Sequence, residues 1–194
     1  MLKIIKATSL LVAITFVSGC ATQGPNYEPT ANNIRLIERS IDTKIGVGEF
    51  SRDASSDLIE DPWAFRGATK VASPVGDGYD DFVAKAVQDE LLLAMRYSDK
   101  GDVQITGEML EHTMSTGSMT IGEGSVAFIF RVEKDGNVVH QTKKRVTHKW
   151  DSAYMGVTAS INAYRGHVEM VEKLISALFS DRKFTEAIND AASD

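Results

Sequence analysis

The chain has 194 residues, of which 43% are hydrophobic and 25% are charged, close to the average for a soluble globular protein. This composition argues against a disordered chain, a collagen-like repeat and a protein that crosses a membrane several times. The 21 Lys and Arg residues are outnumbered by 27 Asp and Glu residues, and the formal net charge of -6 argues against a nucleic-acid-binding protein. The length predicts one domain, or one domain with a tail.

The first 19 residues have the three parts of a secretory signal peptide. Lys3 and Lys6 are the only charged residues before Cys20, and residues 7–19 are all apolar or small. These 13 residues are too few to cross a bilayer, which takes about 20 residues in a helix. A basic start, a short apolar core and small residues at the exit therefore predict a signal peptide over residues 1–19.

The end of this segment carries a more specific motif. Val17-Ser18-Gly19-Cys20 resembles the bacterial lipobox, an aliphatic residue and two small residues before a cysteine. The resemblance implies cleavage between Gly19 and Cys20 and lipidation of Cys20 by acyl chains such as palmitate. Two or more acyl chains hold a protein stably on a membrane, whereas one gives marginal binding. Cys20 is also the only cysteine, so no disulfide can form within the chain.

The residues after Cys20 predict the destination and a tether. Ala21 stands where Asp would imply retention in the inner membrane, so the resemblance implies the outer membrane, with the domain on its periplasmic face. Residues 21–33 contain two prolines and show no hydrophobic period, which predicts a flexible tether. We therefore expect a lipidated cysteine and tether over residues 20–33 and a single periplasmic domain over residues 34–194 that folds alone.

The first half of this domain is predicted to contain one strand and one long helix. Residues 44–50 predict a first strand, and residues 51–78 are loop-like apart from a short strand at residues 69–72. Residues 79–97 carry apolar side chains at helical spacing and predict a well-buried helix. Asp77 or Asp80 is expected to cap this helix.

The second half is predicted to begin with three strands, over residues 102–116, 125–133 and 137–150. Both faces of the middle segment are partly apolar, which predicts a central strand. Asp135-Gly136 between the last two segments is the strongest short signal for a hairpin. Residues 122–124 contain two glycines and are expected to form a loop or a bulge.

Two helices are predicted to follow, one over residues 164–179 and a short one around Phe184. The order of elements indicates an α+β fold. We expect a mixed or antiparallel sheet of about four strands, with two main helices packed on one face as a two-layer sandwich.

This pattern resembles the small bacterial envelope lipoproteins typified by the YajG lipoprotein. The resemblance covers residues 43–190 and depends on the order of elements, with landmarks at Ile45-Gly46-Val47, Phe82–Met95, Gly101–Ile105, Lys134-Asp135-Gly136, Leu174, Leu178 and Phe184. Similar domains occur in the lipopolysaccharide-assembly lipoprotein, in activator lipoproteins of penicillin-binding proteins and in ABC-transport auxiliary lipoproteins. None of these landmarks is a catalytic signature.

The search for catalytic residues gives no candidate. No serine lies in a Gly-x-Ser-x-Gly motif, and Glu108 and Glu111 are expected on opposite faces of a strand. His140 and His148 lie eight residues apart on one strand, too far to share a metal unaided. We expect these two histidines, His112 and His167 to be solvated surface residues. The sequence predicts no enzyme, no metal site and no cofactor.

Two further segments have two interpretations each. Lys143, Lys144 and Arg145, with Lys149, are the densest basic cluster. They fit an edge strand protected by lysines, or a contact with lipid headgroups, lipopolysaccharide phosphates or an acidic protein partner. Residues 154–159 are apolar, and a packed loop is favoured there over a mobile flap.

The expected function is that of an outer-membrane lipoprotein that acts as a non-enzymatic assembly or accessory factor through protein contacts. Its expected partners are the bacterial membrane, through acylated Cys20, and an envelope protein, but no nucleic acid. The alternative is a lipid- or glycolipid-binding accessory protein in envelope lipid transport, and an envelope hydrolase is a third class.

Overall fold

The computed structural model describes residues 21–193, so the predicted signal peptide, its cleavage site at Gly19 and the lipidation site Cys20 lie outside the described residues. The described residues form seven strands and four helices. In chain order these are β1 (Thr22–Gln23), α1 (Ala31–Ser40), β2 (Gly46–Arg52), β3 (Trp63–Phe65), β4 (Thr69–Ala72), α2 (Tyr79–Leu93), β5 (Val103–Ser115), β6 (Ile121–Lys134), β7 (Asn137–Asp151), α3 (Gly156–Phe179) and α4 (Arg182–Ser193).

The main sheet has four strands in the order β2-β5-β6-β7. Strand β2 runs parallel to β5, while β5, β6 and β7 pair antiparallel, so the sheet is mixed. The central position of β6 is confirmed, and β7 is an edge strand of this sheet. Asp135 and Gly136 both have positive φ, 49° and 77°, as the predicted two-residue hairpin between β6 and β7 requires.

The helices cover one face of this sheet. Side chains of β5 and β6 on that face form one core with the buried faces of α2, α3 and α4, and its largest members include Phe82, Phe128, Phe130, Phe179 and Phe184. Burial of apolar side chains of this size is the main stabilising contribution to such a fold. We call the opposite side of the sheet the outer face; the helices leave it uncovered.

The predicted count of two main helices is wrong, because the described residues hold four. Helix α1 packs against α2, α3 and α4, so the helical side is more than a single layer. Ile34, Ile37 and Ile41 recur at helical spacing, and Thr30 caps the helix by accepting a hydrogen bond from the Asn33 backbone N–H at 3.2 Å.

The prediction of a flexible tether is wrong for residues 22–33. Strand β1 pairs parallel with β4 in a second, three-stranded sheet of order β1-β4-β3. Further along, the buried carboxylate of Glu90 on α2 accepts hydrogen bonds from Tyr27 Oη at 2.6 Å, the Thr30 backbone N–H at 3.0 Å and Asn33 Nδ2 at 3.2 Å. One carboxyl oxygen thus holds three points of the N-terminal segment against the helices.

The expected loop or bulge at residues 122–124 is a continuous part of β6. A Cβ atom on Gly122 would lie 2.3 Å from the indole of Trp150, and one on Gly166 would lie 2.4 Å from it. The two glycines allow the indole to lie between β6 and α3, which is the close approach that glycine in a strand often marks.

Candidate functional site

The four basic residues of the predicted cluster do not share one surface. Lys143, Arg145 and Lys149 are exposed on the outer face, because alternate residues of β7 point to opposite sides. Lys144 points to the helical side, where its Nζ lies 2.6 Å from Asp181 Oδ2. The hydrogen bond from Lys144 lowers the pKa of Asp181, whose other oxygen accepts the Lys183 backbone N–H at the start of α4 at 3.0 Å.

Opposite charges pair across the strands of the outer face. Arg145 binds Glu111 through two hydrogen bonds of 2.8 Å, and these lower the pKa of Glu111. Lys149 lies 3.1 Å from Glu123. Such cross-strand pairs add modestly to sheet stability. Within the described residues Lys143 makes no ion pair, which leaves its charge free for a partner.

Glu108 and Glu111 are on the same face, contrary to the prediction. The register passes from Met109 opposite Phe128 to Glu111 opposite Ala127, so Leu110 is an extra residue in β5. A β-bulge of this kind reverses the alternation beyond it. Glu108 pairs with Arg131 and Glu111 with Arg145, so both carboxylates are neutralised by arginines.

His112 and His167 are buried, contrary to the expectation of solvated histidines. Their Nε2 atoms lie 3.0 Å apart, and His112 Nδ1 lies 2.9 Å from the Glu60 carbonyl oxygen. The ring of Tyr79 stacks on His112 at 4.4 Å. Burial lowers the pKa of His112 to about 4 and holds the pKa of His167 well below its usual value. Both rings are therefore neutral at pH 7 and belong to the core.

The other two histidines lie on the helical side of β7. His140 is near the ring of Phe184, and His148 Nε2 lies 2.9 Å from Glu169 Oε2. Across residues 21–193, no group of three or more His, Cys, Asp or Glu side chains is placed to hold a metal ion.

An acidic cluster stands at the start of α2, and Asp61 takes the role expected of Asp77 or Asp80. Asp61 Oδ2 accepts the Tyr79 backbone N–H at 2.9 Å, while Gly78 occupies the cap position without a side-chain hydrogen bond. Arg52 lies 3.2 Å from both Asp61 and Asp80, and burial raises the pKa of both carboxyls. The sequence separation of 18 residues between Asp61 and Tyr79 left no local signal for this cap.

Residues 154–158 of the segment predicted as a packed loop are exposed, whereas Ala159 is buried. Helix α3 begins at Gly156 and not near residue 164, and Tyr154, Met155 and Val157 at its start are 70–78% exposed. The Arg66 guanidinium donates hydrogen bonds to the carbonyl oxygens of Ala153 and Tyr154. The backbone of this segment is therefore held in place while its apolar side chains face outward.

Comparisons with known proteins agree with the fold and leave the activity open. No protein-family model matches the chain, and no curated protein matches it. Among solved structures, protein XCC0632 from Xanthomonas campestris, of family DUF330, is similar over 83% of this chain and 95% of its own, with a TM-score of 0.52 and 7% identity. This likeness shows a shared fold.

Two further similar structures are of proteins described as lipoproteins. A candidate lipoprotein from Caulobacter crescentus CB15 covers 54% of this chain and 83% of its own, with a TM-score of 0.42 and 16% identity. A minor lipoprotein from Acinetobacter baumannii covers 77% and 93%, with a TM-score of 0.35 and 12% identity. In residues 21–193, no helix has the length and apolar character needed to span a bilayer.

Proposed function

We propose that this chain is an envelope lipoprotein of the YajG-like kind, held at the periplasmic face of the outer membrane by acylated Cys20. In this proposal it acts as a non-enzymatic assembly or accessory factor through protein contacts. The observation that carries the proposal is the position of the lipobox cysteine, two residues before strand β1 of the folded domain. An acyl anchor at Cys20 would keep the whole domain beside the leaflet.

The outer face supports a role in protein contacts. It is uncovered by helices and carries paired charges on its strands, and it ends at the edge strand β7. Uncovered polar sheet faces and free strand edges are surfaces on which partners can add contacts. Lys143 and Lys149 project from this face near its edge and suit an acidic partner.

The packing between sheet and helices favours this role over that of a lipid carrier. Phe128, Phe130 and Leu174 are completely buried in that interface, and an acyl chain would have to displace such side chains. A carrier needs an apolar cavity that is largely preformed. The filled core thus gives no support to the alternative of lipid or glycolipid transport.

The anchor is tested by Cys20→Ser in the full-length protein expressed in its own envelope. We expect the wild-type protein in the outer-membrane fraction with an intact mass that includes acyl chains, and the variant without acylation and outside that fraction. Ser18→Ala serves as the control, since it keeps a small residue in the motif. Wild-type protein with an unmodified thiol would refute the anchor.

The protein-contact role is tested by photo-crosslinking residues placed at Lys143 on the outer face and at Glu186 on exposed α4. We expect position 143 to give an adduct with a defined envelope protein that position 186 does not give. The reversal Lys149→Glu, combined with the photo-crosslinking residue at position 143, should reduce this adduct, and it leaves the structural pair of Lys144 with Asp181 intact. Equal labelling at both positions, or labelling unaffected by the reversal, would contradict the proposal.

A further inference from the structure

Exposed apolar side chains are concentrated at one end of the molecule. Among the described residues, six of the twelve exposed large hydrophobic side chains lie just before α3, in its first two turns, or between the end of β5 and the first residue of β6. We call these six side chains the apolar patch; they are Met119, Ile121, Tyr154, Met155, Val157 and Ile161. Hydrogen bonds from Ser152 to Thr120 and Ser118, of 2.8 and 2.9 Å, join the two segments.

The same two segments lack charge. Residues 113–122 and 152–164 contain no Asp, Glu, Lys, Arg or His, in a chain of which 25% is charged. Val157 and Ile161 are one helical turn apart and share a face of α3. Charged side chains begin at the borders, with Lys149 and Asp151 before the second segment and Arg165 after it. A concentration of exposed apolar side chains on segments without charge of their own is typical of an interaction site.

The chain enters the fold from this end. The turn between β3 and β4 is held against the patch, because the Arg66 backbone N–H donates to Thr116 Oγ1 at 2.8 Å and its guanidinium reaches the Tyr154 carbonyl oxygen at 3.2 Å. Strand β4 leads away from that turn, and β1 runs parallel to it with Thr22 opposite Val71. The first residue of β1 therefore lies at the end of the strand that faces the turn and the patch.

The short connection to Cys20 limits how far the acyl chains can be from this end. Two residues span at most about 7 Å when fully extended, so Cys20 lies within that distance of Thr22. The N-terminal segment that follows is fixed by β1 and by the hydrogen bonds to Glu90. The domain therefore cannot rotate freely about an anchor at Cys20. Acyl chains in the bilayer would bring the patch to the same membrane surface.

We propose that the apolar patch docks on the bilayer and that its side chains enter the interface beside the acyl chains of Cys20. This inference rests on the proposed lipid anchor and adds an orientation to it. An apolar helix surface in an interface lies about 5–10 Å deep, at the boundary of headgroups and acyl chains. Tyr154 suits this depth because its ring is apolar and its hydroxyl group can remain hydrated. The exposed Arg165 at the border suits the phosphate level.

The test measures the depth of single labelled positions in the full-length, lipidated protein. Acylated Cys20 has no free thiol, so Val157→Cys and the control Val138→Cys can each be labelled with the fluorophore NBD. Val138 has similar exposed apolar character and lies in β7 next to the hairpin, at the other end of the sheet. The proteins are reconstituted in vesicles of phosphatidylethanolamine and phosphatidylglycerol, with flotation of unlabelled protein as the measure of anchoring.

We expect NBD at position 157 to shift its emission to shorter wavelength, to lose its quenching by aqueous iodide and to be quenched by nitroxide lipids. NBD at position 138 should remain accessible to iodide. If the protein floats but both positions remain accessible, the docking proposal is overturned while the anchor stands. Shielding of position 157 without quenching by nitroxide lipids would also overturn it, in favour of a second copy or a protein partner. Protein that does not float would remove the anchor and the docking together.

Discussion

The neutral, buried pair of His112 and His167 makes the stability of the protein depend on pH. An unfolded histidine titrates near pH 6.5, whereas burial lowers the pKa of folded His112 to about 4. Between these values the unfolded chain binds more protons than the folded chain, so acid favours unfolding. The contribution of neutral His112 to the free energy of unfolding is complete above pH 6.5 and is lost as the pH falls toward 4.

We predict that the free energy of unfolding falls by about 3 kcal/mol between pH 7 and pH 4 because of His112 alone, since each unit of pKa difference corresponds to about 1.4 kcal/mol. Urea unfolding across this range measures the effect. The double variant His112→Gln/His167→Gln should flatten the dependence above pH 5, although it lowers stability at pH 7. His140→Gln, at a half-buried position on β7, is the control, and an equal slope in all three proteins would contradict the assignment.

The packing between β6 and β7 depends on the absence of a side chain at Gly122. A methyl group there would overlap the rigid indole of Trp150, and overpacking of this kind typically costs about 1–3 kcal/mol. We predict that Gly122→Ala lowers the free energy of unfolding by that amount. Gly117→Ala is the matched control, because a Cβ atom at Gly117 has no neighbour within 4 Å. Equal stability of the two variants in urea would disprove the steric explanation.

The N-terminal segment is an element of the fold, and Glu90 is the contact that makes it one. Tyr27 is buried and donates its hydroxyl proton to Glu90, and burial raises the pKa of Tyr27. Loss of a hydrogen bond to a buried charged group leaves that group short of a partner, at a cost of about 1–3 kcal/mol.

We therefore predict that Tyr27→Phe destabilises the protein by about 1–3 kcal/mol and increases proteolysis within residues 21–33. Tyr154→Phe, at a position 78% exposed, should leave both unchanged. Removal of residues 21–33 should cost more than Tyr27→Phe, because Glu90 then loses all three donors. A truncated chain as stable as the longer one would restore the view of these residues as a loose tether.

At this scale the sequence predicts regular elements well and contacts between distant residues poorly. The long helix at residues 79–97, the central strand and the Asp135-Gly136 hairpin follow from local periodicity and turn chemistry. Helix α1 gives a weak signal because it is only ten residues long and polar residues surround its few apolar ones. The burial of Tyr27 depends on Glu90, 63 residues away, and no local pattern reports such a contact.

The candidate surfaces were predicted less fully than the elements, for the same reason. The prediction groups Lys144 with Lys143 and Arg145, although alternation along β7 places it on the opposite side. The bulge at Leu110 that reverses Glu111 has no sequence signal. The exposure of Val157 depends on which side of α3 the sheet and α1 occupy. His112 and His167 are 55 residues apart, and only the tertiary fold shows that they form one buried pair.

The whole molecule has two contrasting surfaces: an apolar patch at the end where the chain enters, and a charged outer face along the strands. If the patch lies on the bilayer, the outer face stands beside the membrane and not against it, open to proteins of the periplasm. Anchoring and partner contact can then occur together, because they use different sides of the domain.

If Cys20 carries the proposed anchor, its two-residue distance from β1 also bears on the order of events during maturation. In that case, cleavage after Gly19 takes place in the stretch of chain directly before β1. Once β1 has joined β4, that stretch is no longer free on the side of the domain. Under the proposed anchor we therefore expect acylation and cleavage to precede the pairing of β1 with β4. A chain whose small sheet closes first would then keep its leader.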